Sequence, residues 1–121
     1  MVGVTINATF RVAEEDMEDF KSFIATATEM VREKERDDTI VYEFWESETG
    51  SGLFRVSEAY TAVEGLMNHF VNLGDLAAVG GRLLQVEELV LTGDIPDELV
   101  ANFMVIGPEK VRIFKNLIAS R

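Results

Sequence analysis

The sequence predicts an α+β domain of the ferredoxin-like, split βαβ plan, an antiparallel sheet with helices over one face. Three observations lead there. The opening residues alternate apolar and polar, the next stretch repeats apolar residues at three- and four-residue steps, and the same strand-to-helix change recurs after a hairpin signal. A length of 121 residues suits a single domain. We expect residues 1–121 to form one unit, with about 94–121 as an appended helix and short strand.

In VGVTINATFRV, Val4, Ile6, Ala8, Phe10 and Val12 share one side of a strand, with Thr5, Asn7, Thr9 and Arg11 on the other. An amphipathic helix follows, its stripe made by Met17, Phe20, Ile24, Ala27 and Val31 and widened by Phe23 and Met30. Its acidic start, Glu14 to Asp19, suits the positive end of the helix dipole. TIVYEFWESE and GLFRVSEAY, joined by Thr49-Gly50-Ser51-Gly52, predict a β-hairpin.

A second helix is expected from about Thr61 to Leu73, with Thr61 as N-cap, Glu64 completing a capping box, and Leu66, Met67, Phe70 and Leu73 inward. Gly74 interrupts it. Gly80-Gly81 weakens any helix over Asp75 to Gln85, so a short, irregular turn is expected there. LLQVEELVLTG predicts a fourth strand. Pro96 then suits the start of a third helix with Leu99, Val100, Phe103 and Met104 inward, which Gly107-Pro108 stops before a last short strand in KVRIFKNL. Met17, Met30, Met67 and Met104 all fall at core-like positions.

Composition narrows the function. Twenty-two acidic against eleven basic side chains leave a net charge of -11, which repels nucleic-acid phosphates and anionic membrane surfaces. The acids between Glu14 and Asp38 read as a solvated helical face. The absence of cysteine removes disulfides, thiolate nucleophiles and cysteine zinc sites together. No apolar run is long enough to span a bilayer, and MVGVTINATFRV lacks a basic segment before an apolar core, so a cytoplasmic protein is expected. There is no GxGxxG or P-loop, and one histidine cannot build a histidine-rich metal site, so no cofactor or metal is expected.

The second strand is apolar on both sides, with Ile40, Tyr42 and Phe44 on one and Val41 and Trp45 on the other. Two apolar sides need two covers. An aromatic such as Trp45 removes roughly 150 to 250 Å² from water when buried, which favours a second sheet from another copy of the chain. The competing reading places Trp45 under the chain's own C-terminal segment. Arg11 and Arg55 belong to the same face as Trp45.

VYEFWES, the turn TGSG, FRVSEAYTAVEGLMNHF and LTGDIPDELVANFMVIGP together resemble the antibiotic biosynthesis monooxygenase family. The resemblance covers nearly the whole chain and implies a homodimeric α+β barrel of two ferredoxin-like subunits. It implies a substrate held between sheet and helices, a small aromatic, quinol or polyketide-like compound oxidised by molecular oxygen without metal or flavin. A related branch degrades haem through an asparagine on the first strand and a histidine ligand. The alignment puts those positions at Ala8 and near Leu73 or Gly74, and Asn7 points away from the helices, so haem degradation is not expected.

Within that frame the candidate acid/base residues are His69, Glu58 and Tyr60. An imidazole exchanges protons near neutral pH, and His69 lies beside the stripe that holds Leu66 and Leu73. Glu58 and Tyr60 share the parity of Phe54 and Val56, so a carboxylate and a phenol reach the helix side of the third strand. The expected pocket wall is Tyr42, Phe44, Phe54, Leu66, Met67 and Phe70. Each has an ordinary alternative: His69 as a helix histidine satisfied by a carboxylate or carbonyl, Glu58 as a polar clamp, Tyr42 as core with its hydroxyl at the rim. Two further functions stand beside oxidation. One is a non-catalytic small-molecule-binding or stress-response protein, the other a dimerisation module with a filled core.

Overall fold

A computed structural model describes residues 2–117, so the last four residues of the expected C-terminal extension lie outside it. Its elements are β1 (Val4–Arg11), α1 (Met17–Lys34), β2 (Thr39–Glu46), β3 (Leu53–Tyr60), α2 (Val63–Leu73), α3 (Leu76–Leu83), β4 (Gln85–Thr92), α4 (Asp97–Met104) and β5 (Val111–Phe114). The sheet order is β2-β3-β1-β4-β5, antiparallel except for the parallel β4–β5 pair. This is the ferredoxin-like α+β arrangement, extended at one edge by β5.

The period-two pattern of β1 works as the sequence implies. Val4, Ile6, Ala8, Phe10 and Val12 are all buried under the helices, against Phe20 and Phe23 of α1 and Leu83 of α3. Burying such side chains contributes about 1.5–3 kcal/mol each, which makes this layer the main source of stability. Phe10, Phe20, Phe44 and Phe54 form an aromatic cluster at one end of it, with Phe20 and Phe54 centroids 4.7 Å apart. No helix among the described residues is long and apolar enough to cross a membrane.

Several local expectations change. Residues Asp75 to Gln85 hold a regular helix, because Gly80 lets α3 lie on α1: a Cβ there would come 2.8 Å from the ring of Phe23. Close packing between helices outweighs the low helix propensity of two glycines. The N-cap of α2 is Ala62, without a side-chain cap. Thr61 is held instead by its backbone, whose N–H donates to the Asp38 carbonyl at 3.0 Å, so no capping box forms with Glu64.

The inward face of α2 is rotated from the expected one. Gly65, Leu66 and His69 are buried, whereas Met67 is 48% exposed and Phe70 37%. Met67 is therefore not a core methionine. A register shift between Thr39 and Val41 breaks the parity of β2, leaving Ile40 exposed rather than beside Tyr42 and Phe44.

β2 and β5 are opposite edges of the sheet, so the described part of the C-terminal segment cannot cover Trp45. Trp45 remains 53% exposed, on the face away from the helices.

Candidate active site

The site begins where α1 ends. Phe20, Phe23, Ala27 and Val31 are its buried stripe, and one more four-residue step reaches Glu35. The Glu35 backbone N–H still donates to the Val31 carbonyl at 2.9 Å, but the residue has left helical geometry and its side chain turns inward, only 1% exposed. Glu33, Lys34, Arg36 and Asp37 around it stay exposed. The reading of these acids as a solvated face fails at this residue, because position on the stripe overrides residue type.

A carboxylate taken out of water must be met by donors. Glu35 has three. The Thr39 hydroxyl donates to Oε1 at 2.7 Å and the Asn72 amide to Oε2 at 3.2 Å, while His69 Nδ1 lies 3.0 and 3.1 Å from the two oxygens. His69 is itself 2% exposed. Its position depends on Gly65, since a Cβ at residue 65 would press on the Cβ and carbonyl of Asp38 at 3.2 Å and lift α2 away from the end of α1.

This pairing sets the histidine's chemistry. A carboxylate can only accept, so Glu35 places the ring proton on Nδ1 and leaves Nε2 of a neutral imidazole as the free base. Nε2 faces Glu58 Oε1 across 3.8 Å, a gap too long for a direct hydrogen bond.

Glu58 arrives on β3, on the helix side that strand parity implies, with the Tyr60 hydroxyl donating to its Oε1. Burial raises its carboxyl above the ordinary range, with Glu35 adding to the effect and His69 and the Tyr60 hydrogen bond opposing it. Burial, followed by the charge of Glu58, also pushes the Tyr42 and Tyr60 phenols far above theirs, so both stay protonated donors. Their rings flank the imidazole, with centroids 5.0 Å (Tyr42) and 5.8 Å (Tyr60) from it. The result is a sequence of Glu35, His69, Glu58 and Tyr60 side chains in which the imidazole lies between two carboxyl groups.

The structure thus brings His69, Glu58, Tyr60 and Tyr42 together. Phe44 touches Tyr42 at 5.4 Å but belongs with Phe54 to the aromatic cluster, and Leu66 is fully buried core. Met67 and Phe70 lie on the flank of α2 toward α4, where Phe70 meets both His69 at 6.0 Å and Phe103 at 5.8 Å. Five clefts along the described residues are lined by side chains other than His69, Glu58 and Tyr60. Sequence reasoning missed Glu35, Thr39 and Asn72. The signal for Glu35 was its place four residues beyond Val31, and for Asn72 its place three residues beyond His69 on the same helix.

No protein-family model and no curated protein matches the chain. Solved structures do. MupZ from Pseudomonas fluorescens is similar over 98% of this chain and 93% of its own, at 22% identity and a TM-score of 0.68. A candidate antibiotic biosynthesis monooxygenase from Caulobacter crescentus is similar over 73% of this chain and 83% of its own, at 21% identity and a TM-score of 0.61. An antibiotic biosynthesis monooxygenase with 14% identity covers 77% of this chain and 99% of its own at a TM-score of 0.62. The chain has an antibiotic biosynthesis monooxygenase-like fold. Likeness at these identities is one of architecture, and the same fold carries different chemistries. The match to MupZ runs almost the full length, whereas the two monooxygenase matches cover 73% and 77% of this chain.

Proposed function

We propose that this antibiotic biosynthesis monooxygenase-like chain is an enzyme that oxidises a small phenol- or quinol-type compound without metal or flavin, with His69 Nε2 as the base. The observation that supports it most is the buried Glu35–His69 pair, which presents a free Nε2 toward Glu58.

His69 takes a proton from the activated C–H or O–H of the substrate. The resulting anion passes one electron to molecular oxygen, the two radicals join through a new C–O bond, and the peroxide anion so formed recovers the proton from His69 to give a hydroperoxide. At a methylene, His69 then removes the second C–H proton as the O–O bond breaks and a carbonyl forms, so the carbon loses two hydrogens and gains one oxygen atom while the other leaves as water. Glu58, whose carboxyl burial raises above the ordinary range and whose Oε1 accepts from Tyr60, supplies the proton for the departing hydroxide and regains it from His69. Tyr42 orients the substrate oxygen.

The test is oxygen uptake with hydroquinones and anthrones as substrates. Turnover lost in His69→Ala supports the assignment, and no uptake across the panel overturns it. One observation favours a second reading. An acid and a base set 3.8 Å apart suit redox-neutral proton transfer equally well, and activity that persists without oxygen would select it.

We also infer that two copies pair through the sheet face that bears Trp45. Trp45 and Phe114, 53% and 57% exposed, stand at opposite edges of that face.

A further inference from the structure

The acceptor capacity of Glu35 is fully used. A carboxylate offers about four lone-pair directions on its two oxygens. His69 Nδ1 stands almost midway between them, at 3.0 and 3.1 Å, while the Thr39 hydroxyl donates to Oε1 at 2.7 Å and the Asn72 amide to Oε2 at 3.2 Å. One donor on each flank pins the plane of the carboxylate. The imidazole N–H therefore meets both oxygens, and neither is left to swing toward water. Thr39 and Asn72 are only half-buried, whereas Glu35 is 1% exposed, so the two form the outer cover of the carboxylate.

The two flanking donors arrive by different devices. Asn72 follows His69 by three residues on α2, so amide and imidazole leave the same face of one helix. Thr39 depends on an irregularity in β2. Thr39 pairs with Tyr60 and Val41 with Ala59, which leaves Ile40 as one residue too many for the partner strand. Strict alternation back from Tyr42 and Phe44, which face the helices, would turn Thr39 to the open face with Val41 and Trp45. The extra residue reverses that, sets Thr39 beside Tyr60 on the helix side and leaves Ile40 45% exposed. Bulges next to a site re-aim side chains in this way. The main chain closes the same turn, since the Thr39 N–H donates to the Glu35 carbonyl at 3.0 Å. Glu35 and Thr39 are thus joined through backbone and side chain alike.

We propose that Thr39 and Asn72 are positioning residues of the His69 base: by holding both oxygens of Glu35 they keep the ring proton on Nδ1 and Nε2 bare toward Glu58. This rests on the acid/base reading of His69 and adds to it two residues that act through Glu35 without touching the substrate.

His69 is the only histidine of the chain, so labelling histidine with 15N gives ring-nitrogen NMR signals that all come from one imidazole. While the ring is neutral, Nδ1 of the parent chain should read as the protonated nitrogen and Nε2 as the bare one. Thr39→Val, which keeps the shape and removes the hydroxyl, and Asn72→Ala should each let the proton divide between the two nitrogens and lower kcat about tenfold at unchanged KM. Thr39→Ser returns the donor and should restore both readings. Asn68→Ala, at an exposed position on the same helix, should change neither. A purely structural role would lower the stability of Thr39→Val and Asn72→Ala but leave the nitrogen signals and kcat as they were, and that result would overturn the proposal. So would a parent chain whose ring proton sits on Nε2, or a Thr39→Ser variant no better than Thr39→Val. Divided nitrogen signals in variants of a chain that turns over no hydroquinone or anthrone would sink the oxidation reading and leave this one standing. Turnover lost in His69→Ala but untouched in Thr39→Val and Asn72→Ala would do the reverse.

Discussion

His69 Nδ1 lies 3.0 Å from Glu35 Oε1, joining the middle of α2 to the residue that caps α1 across 34 residues of sequence. Both side chains are almost fully buried, and Thr39 and Asn72 complete the shell of the carboxylate. Removing the carboxylate leaves a buried imidazole N–H, hydroxyl and amide without their acceptor, and an unsatisfied buried donor typically costs about 1–3 kcal/mol. Glu35→Ala should therefore lower unfolding stability by about that amount in urea titrations. A loss below about 1 kcal/mol would mean that the pair is not held as described. Glu35→Gln keeps the shape but no longer fixes the proton on Nδ1, so turnover should fall about 100-fold or more with little change in KM.

Glu58 sets the pH dependence. Its carboxyl is raised above the ordinary value of 4.5, chiefly by burial, and it faces His69, Tyr60, Tyr42 and Glu35. Between 4.5 and the raised value the folded chain keeps a proton that the unfolded chain has lost. The stability from this group is therefore complete below the unfolded value and is lost as pH rises through the folded one, at about 1.4 kcal/mol per unit of separation. Glu58→Gln, which retains an acceptor for Tyr60, should lack this term. Its stability relative to the parent should rise from pH 4.5 to 8 in parallel denaturant titrations, and a constant difference would refute the assignment.

Most of the fold is legible in the sequence because it rests on periodicity. Val4 to Val12 and Phe20 to Val31 each bury one face of a regular element, and a period survives whatever packs on it. The misreadings arise where tertiary contact overrides a local rule. Gly80 looks like a helix breaker until Phe23 needs its missing side chain, and Thr61 looks like a cap until Asp38 takes its backbone. The site divides in the same way. His69, Glu58 and Tyr60 follow from residue type and parity, whereas Glu35 hides among exposed charges and is revealed only by its i+4 step from Val31.

The two adjacent glycines of α3 should respond to alanine with opposite signs. A Cβ at Gly81 meets nothing within 4 Å, so Gly81→Ala should gain up to about 1 kcal/mol of helix propensity. A Cβ at Gly80 comes 2.8 Å from the Phe23 ring, and overpacking of this kind costs about 1–3 kcal/mol. Thermal unfolding of the two variants reads the difference directly. Equal effects would show that α3 does not press on α1 at Gly80.

The exposed face of the sheet supplies the last expectation. Trp45 pairs with Arg55 and Arg55 with Thr9, so indole, guanidinium and hydroxyl share a row on the side the helices leave open. Phe114 ends another row at the far edge, through Thr92 and Thr5. Large apolar groups at both margins of a polar-centred face fit a second sheet laid across it, and half-exposed aromatics of this size gain most from such cover. The chain of 13.5 kDa should therefore sediment as a dimer. Trp45→Glu places a charge where the partner would pack and should shift the equilibrium toward monomer while leaving circular dichroism unchanged, since the residue touches solvent in the single chain. A parent chain that sediments at its own mass, or a Trp45→Glu variant that dimerises equally well, would remove this face from consideration as the interface.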